Sequence, residues 1–272
     1  MTDASQPKIK QAQQVLIVGC GRMGGALLSR WLHVDDFEFT VISPSGTRSF
    51  PDVVRVARGP EALGNARFDL IVIGVKPQQI REAMPAYIPH LAPGGAVLSL
   101  AAGTSVASLT DVLGPVPICR VMPNLPVSLG QGVSALYADA GLHDDQAQRV
   151  DALMRPTGTL VWVDSEDELD RVTAIAGSGP GYAFEIARCW VDAGKALGLP
   201  ADVARQLVLG TLRGSVNLAI ESGDSLDSLR DGVTSKHGTT QAGLEALNGN
   251  SQLGELFQST VAAAYARAQA LR

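Results

Sequence analysis

Hydrophobic positions along this chain change period once, near residue 165, and the change separates two kinds of architecture. Upstream they come as short runs. Val15–Val18 is apolar at every position, and Phe37–Ile42, Val53–Ala57, Asp69–Val75, Ala96–Leu100 and Ile118–Met122 follow at intervals. A run that is apolar on both sides marks a strand buried on both faces of a parallel sheet. Segments of helical spacing lie between the runs, among them Gly25–Leu32, Gln78–Tyr87 and Ser105–Leu113. Strand and helix in alternation predict an α/β, Rossmann-type doubly wound sheet. Val133–Ala138 and Thr159–Val163 read as further strands around a helix from Asp144 to Arg155.

Downstream the strand-like runs stop. Ser165 and Glu168 form an S-x-x-E capping box, which announces a helix. Alanine- and leucine-rich segments then recur at helical spacing through Tyr182–Leu197, Ala201–Glu221 and Leu253–Leu271. The expected division is a loose polar leader over 1–14, the sheet domain over 15–164 and an all-α domain over 165–272. Apolar positions such as Phe184, Trp190, Leu207, Leu212 and Leu218 exceed what a few helices need for a private core, which predicts a helical dimer interface. Ile175–Tyr182 reads as a small-residue hinge with Pro180 in the first turn of a long helix. Its likeness to a G-x-S-x-G nucleophile elbow fails, because Ala176 holds the first glycine position and no strand precedes it.

Composition narrows the function classes. With 272 residues and 46% hydrophobic content the chain can bury a sizeable core. A net charge of -5 supplies no basic field for nucleic acid, and no apolar run is long enough to span a bilayer. The polar leader lacks the apolar region of a secretory signal, so the expected compartment is the cytoplasm. Cys20, Cys119 and Cys189 are odd in number and far apart, and fit neither a disulfide framework nor a zinc spacing; they read as reduced packing residues. The four histidines form no ligand pattern either, so no metal site is expected. The acidic clusters Asp35-Asp36, Asp144-Asp145 and Glu166-Asp167-Glu168 read as solvated helix starts.

The chemistry begins where the first run ends. Gly19-Cys-Gly-Arg-Met-Gly24 follows Val18 at once and opens a helix, which is the context that lifts G-x-G-x-x-G above a chance match. Gly19 allows the tight turn, Gly21 lets the backbone approach a pyrophosphate and Gly24 permits close packing, with Arg22 and Met23 at the helix start beside the ligand. After the second run an NAD-binding domain usually has an acid for the ribose hydroxyls; here Ser43-Pro-Ser-Gly-Thr-Arg48 stands instead. Ser43, Ser45, Thr47 and Arg48 suit a 2′-phosphate, which favours NADPH and leaves NADH a weaker cofactor. The other strand ends carry Val75-Lys76-Pro77, Ala101-Ala102-Gly103-Thr104 and Met122-Pro-Asn124, and ligands of open α/β sheets bind at such ends. Lys76 is a candidate phosphate or ribose contact or a helix-flanking lysine, and Asn124 a candidate for the nicotinamide amide or a turn asparagine.

In the helical half, Asp231-Gly-Val-Thr-Ser-Lys-His-Gly-Thr-Thr-Gln-Ala-Gly243 interrupts the pattern with hydroxyls and glycines. Thr239 and Thr240 stand where a new helix begins, so their N–H groups and hydroxyls are placed either to cap it or to face a small carboxylate.

Taken together, Gly19-x-Gly-x-Met-Gly24, Val75-Lys-Pro-Gln78, Arg120-Val-Met-Pro-Asn-Leu-Pro126, Ala176-Gly-Ser-Gly-Pro-Gly-Tyr182 and Leu229–Gly243 resemble, in order, the motif series of the pyrroline-5-carboxylate reductase family. The resemblance covers Val15 to the C-terminus, and its last motif is the most specific. It implies a Rossmann domain, a helical C-terminal dimerisation domain with homodimers or higher oligomers of dimers, and NADPH-dependent reduction of the C=N bond of 1-pyrroline-5-carboxylate to L-proline. It also implies that Ser235, Gly238, Thr239 and Thr240 contact the substrate, with Ser235 and Thr240 the catalytic candidates and the Thr240 hydroxyl beside the imine nitrogen. His237 is a secondary acid–base candidate or a surface residue. Where the family usually has Ser-Pro-Gly-Gly-Thr-Thr this chain has Ser235-Lys-His-Gly-Thr-Thr240, and an asparagine common after the third strand gives way to Arg58-Gly-Pro-Glu61. Two other readings fit the same residues: a related reductase of another small cyclic imine or acid, and a non-catalytic NADP-sensing protein.

Overall fold

The computed structural model describes residues 12–46 and 49–272. Most of the expected leader, and with it Thr47 and Arg48 of the cofactor reading, lies outside the described residues. Two compact units result: residues 1–178 with 264–272, and residues 179–263. The expected domain boundary at 164/165 falls inside the first of them.

The first unit is built on β1 (Gln13–Val18), β2 (Phe37–Ile42), β3 (Arg55–Ala57), β4 (Phe68–Ile73), β5 (Leu91–Ser99), β6 (Ile118–Pro123), β7 (Gly132–Ala138) and β8 (Gly158–Trp162). They form one sheet in the order β3-β2-β1-β4-β5-β6-β7-β8. All neighbours are parallel except β6 and β7. The first six strands follow the doubly wound order, whose direction of travel reverses between β1 and β4.

Alternate residues of one strand explain why β1 is apolar throughout. Val15 and Ile17 pack with Leu27, Leu28 and Trp31 of α1 (Arg22–Trp31) and with Val150 and Leu153 of a later helix, while Leu16 and Val18 pack on the opposite face. That opposite layer comprises α2 (Ile80–Ala83), which brings Ile80, and α3 (Val106–Leu113), which brings Val106, Leu109 and Leu113. The later helix is α4 (Asp144–Met154). Each fully buried aliphatic side chain contributes about 1.5–3 kcal/mol, so the central strands hold the two layers together. Trp31 stacks on Phe39 with centroids 6.1 Å apart.

Several expected elements come out shorter. The helical pattern over 78–87 becomes the single turn of α2, between Pro77 at its entry and Pro85 just past its end, where a proline cannot continue a helix. The strand expected from Val53 is paired only from Arg55. Ser165 does cap α5 (Glu166–Val172), accepting from the Glu168 N–H at 3.1 Å, but the Glu168 carboxylate accepts from Asp164 N–H and not from Ser165. After α5 a π-turn, Thr173–Gly177, closes this part of the unit.

One expectation is overturned outright: Glu166 is not a solvated acid. Its carboxylate lies 2.6 Å from the guanidinium of Arg120, which stands on β6 at 2% exposure. The same oxygen accepts from the Val106 N–H at 2.8 Å, capping α3. Arg272 forms a second ion pair with Asp170 at 2.8 Å; burial pushes the Asp170 carboxyl up, while Arg272 and Arg120 pull it back. No local pattern reveals a pairing over 46 positions.

The second unit holds α6 (Gly179–Ala196), α7 (Ala201–Ser222), α8 (Leu226–Gly232), α9 (Thr239–Asn248) and the start of α10 (Gln252–Gln269). In α6 and α7 only Ala187, Ala204 and Val208 are buried, while Phe184, Trp190, Leu207, Leu218 and Ile220 are exposed. Helices that leave this much apolar surface bare expect a partner. None of the described helices is long and apolar enough to cross a membrane.

Removing one member of a buried ion pair leaves the other uncompensated. Glu166→Ala should therefore destabilise the protein by about 3 kcal/mol, read from the urea midpoint. A loss below about 1 kcal/mol would show that Arg120 finds other partners.

Candidate active site

Register places the expected cofactor residues along one edge. Val18 pairs with Ile42 and Ile73, Ile73 with Ser99, and Ser99 with Arg120. The residues that follow these strands, Gly19, Ser43, Val75, Ala101 to Gly103, and Asn124, therefore emerge at the carboxyl end of the sheet.

At its centre two backbones touch. Gly19 has φ +90°, and a Cβ there would lie 2.5 Å from the Val75 nitrogen. A Cβ on Gly74 would lie 2.0 Å from the Gly19 oxygen, and Gly74 N–H donates to Val18 at 2.8 Å. Gly74 is thus a required residue that the motifs do not include; a glycine directly after an apolar strand is its one sign in the sequence. Gly24 is held close as well, its Cβ position 3.2 Å from the Gly19 oxygen. Gly21 is the contrast: a Cβ there would meet nothing within 4 Å. It is also the N-cap of α1, with no side-chain cap and no acid in the first turn. A helix start with room above its glycine and no acid in its first turn fits a pyrophosphate. Arg22 is exposed at that start, while Met23 is partly buried against the core.

The other edge residues divide. Ser43 is buried, donates its N–H to Ala57 at 2.9 Å and begins a turn closed by Gly46, while Ser45 is exposed. Lys76 is exposed at the head of the Pro77–Gln79 turn. Ala102 is exposed, but Gly103, at φ +69°, faces Leu271, whose oxygen would sit 2.4 Å from a Cβ. Its glycine therefore has a packing reason of its own. Asn124 is committed internally: its amide NH₂ donates to Ala176 at 3.0 Å and its oxygen accepts from Val133 N–H at 2.9 Å. These bonds tie the end of β6 to the π-turn and give the side chain an anchoring role.

In the second unit the segment before α9 forms a turn closed by Gly238 N–H donating to Ser235 at 3.0 Å. His237, the third residue of that turn, has φ +60°, and Lys236 before it does not have positive φ. A turn of this kind favours proline second and glycine third, so the family's Pro-Gly and this chain's Lys236-His237 serve one backbone shape. Gly238 is the N-cap of α9, a Cβ there would lie 2.3 Å from the Ser235 hydroxyl, and no side chain caps the helix. Thr239 and Thr240 are its first residues and both are exposed. The turn thus sets Ser235 close to Gly238, directly before the exposed Thr239 and Thr240 that open the helix. His237 N–H donates to Gln241 at 2.7 Å.

Neither place assembles a nucleophile with a base, and among the described residues no group of three or more His, Cys, Asp and Glu is arranged to hold a metal ion. Burial pushes the Cys119 thiol up, which makes it a packing group; Cys189 is exposed, so the packing role expected of it does not hold. A glycine turn that opens a helix at the carboxyl end of a doubly wound sheet is the arrangement of oxidoreductases that leave the hard chemistry to a nicotinamide dinucleotide.

Comparison with known proteins makes this specific. Residues 166–271 match the pyrroline-5-carboxylate reductase dimerisation family, and residues 14–103 match the coenzyme F420-dependent NADP oxidoreductase family. The chain is 39% identical to pyrroline-5-carboxylate reductase of Pseudomonas aeruginosa over 196 residues, 72% of this chain and 71% of that one. A solved pyrroline-5-carboxylate reductase from Coxiella burnetii superposes with a TM-score of 0.86 at 29% identity, covering 96% of this chain and 99% of that one. Pyrroline carboxylate reductase of Plasmodium falciparum with NADP bound gives 0.82 at 25% identity, covering 95% and 98%. The chain belongs to the pyrroline-5-carboxylate reductase family.

His237 holds a left-handed conformation that costs a non-glycine residue about 1 kcal/mol or more, part of which glycine returns as chain entropy. His237→Gly should raise stability by about 0.5–1 kcal/mol in urea unfolding. A fall in stability would mean that the imidazole makes a contact worth more than the strain.

Proposed function

We propose that the chain reduces 1-pyrroline-5-carboxylate to L-proline with NADPH, NADH serving less well, and that it does so as a homodimer joined through the helical unit. The observation that carries the reading is the Ser235–Thr240 turn, which sets a serine and two exposed threonines at the start of α9, a helix that no side chain caps. Family membership, the match of 166–271 to a dimerisation family and the NADP bound in the Plasmodium relative support it. Exposed apolar residues on α6 and α7, such as Phe184 and Leu207, support association, and further association of dimers would use surfaces left over. Three cysteines that form no disulfide support a reducing compartment, the cytoplasm.

In the first unit Gly21 and the start of α1 hold the pyrophosphate, and Gly19 and Gly74 keep the strand ends close enough for the ligand to lie along the edge. When bound, the nicotinamide supplies the hydride that the imine carbon takes up. In the second unit Ser235, Gly238 and the N–H groups of Thr239 and Thr240 grip the substrate carboxylate, fixing the ring for attack. The Thr240 hydroxyl hydrogen-bonds at the ring nitrogen. Because the imine enters as its protonated iminium, hydride addition alone completes the neutral amine, and no strong acid is required. That agrees with a site that offers hydroxyls and helix N–H groups in place of carboxylic acids. Lys236 and His237 add positive charge beside the carboxylate position.

Thr240→Ala should lower kcat/KM for the imine by about ten- to a hundredfold, while the Kd for NADPH measured by fluorescence titration moves by less than about twofold. An unchanged kcat/KM would remove Thr240 from the site.

A further inference from the structure

We propose that Arg58, directly after β3, reads the adenosine 2′-phosphate of NADPH and sets the cofactor preference of this chain. The inference deepens the NADPH assignment and rests on it.

Ile42 of β2 is paired with both Val18 of β1 and Ala57 of β3. Gly19, Ser43 and Arg58 therefore leave three adjacent strands side by side. A dinucleotide whose pyrophosphate sits on α1 extends its adenosine ribose toward the end of the second strand. There the Ser43 N–H, donating to Ala57 at 2.9 Å, holds the β2 and β3 exits together, and Gly46 N–H donates back to Ser43 at 3.1 Å to close a small turn. The Arg58 guanidinium lies over that turn, its terminal nitrogen 3.8 Å from the place a Cβ on Gly46 would occupy. Arg58 is exposed and, among the described residues, forms neither an ion pair nor a hydrogen bond. Arg55 on the same strand is already used by the Ala62 carbonyl at 3.1 Å. The next acid along the chain, Glu61, is folded against Gly59. No acid stands between Ser43 and Gly46 to repel a dianion. A guanidinium fork over an exposed glycine turn can recognise a phosphate, and its planar donors match a phosphate better than a lysine does.

The test is calorimetric titration of the full-length protein with adenosine 2′,5′-bisphosphate and with adenosine 5′-monophosphate. Wild type should bind the bisphosphate more tightly. Arg58→Ala should weaken the bisphosphate by about ten- to a hundredfold and leave the monophosphate within about twofold. Arg58→Lys, which keeps the charge without the fork, should fall between, and it carries the test if the alanine variant folds poorly. A bisphosphate-to-monophosphate ratio that is the same in wild type and both variants overturns the proposal. So does a wild type that binds the two ligands equally. NADPH oxidation by wild type with the imine is measured separately: its absence would remove the reductase reading, while the two-ligand ratio would still decide the role of Arg58.

Discussion

Because the sheet of the first unit is covered on both faces, a polar ligand can meet it only at an edge. Val15 and Ile17 are sealed under one helical layer, and Leu16 and Val18 under the other. Parallel strands bring their carboxyl ends to the same edge, and the backbone contact between Gly19 and the Gly74–Val75 segment draws the two central exits together. Any side chain at Gly19 would push that contact apart. The start of α1 at Gly21, the Ser43 turn and the loop after β5 are all placed relative to this pair of exits. Conformational freedom of glycine thus brings two backbones and a helix start together where a side chain would hold them apart.

The second unit solves a related problem with a different local device. A turn with one positive-φ residue, His237, brings Ser235 to the start of α9, a helix that no side chain caps. Capping and ligand binding are one and the same demand on the N–H groups of a helix start. The departure from the family's Pro-Gly changes charge and strain at the turn while its shape stays. Away from both places, the Arg120–Glu166 pair ties β6 to α5 and to the start of α3, which is structural chemistry.

Legibility differs with the range of the interaction. The wholly apolar Val15–Val18, the glycine motif after it and the start of a helix at Thr239 are local patterns, and each is realised within a residue or two. The Lys236-His237 departure is visible as letters, but its meaning needs the φ of His237. What local pattern cannot carry are pairings between distant segments. Glu166 looks like any acid in a first helical turn until Arg120 is placed beside it, and Gly103 looks like a ligand-loop glycine until Leu271 is packed on it. Asn124, between two prolines, offers no sign that Ala176 and Val133 occupy both ends of its amide. Arg58 falls in the same class: only the pairing of β3 with β2 brings it over the Gly46 turn. Helix length departs from the pattern where prolines intervene, as over 78–87, which Pro85 cuts to one turn.

Membership of the pyrroline-5-carboxylate reductase family assigns the chain one reaction, NAD(P)H-dependent reduction of an imine. The most direct test follows both products of one reaction mixture, NADPH loss by absorbance and L-proline by chromatography, with purified protein and 1-pyrroline-5-carboxylate. One L-proline is expected for each NADPH consumed, with a slower rate when NADH replaces it. Tight NADPH binding with no turnover of this imine would contradict the reading and leave a nucleotide-binding protein of the same fold.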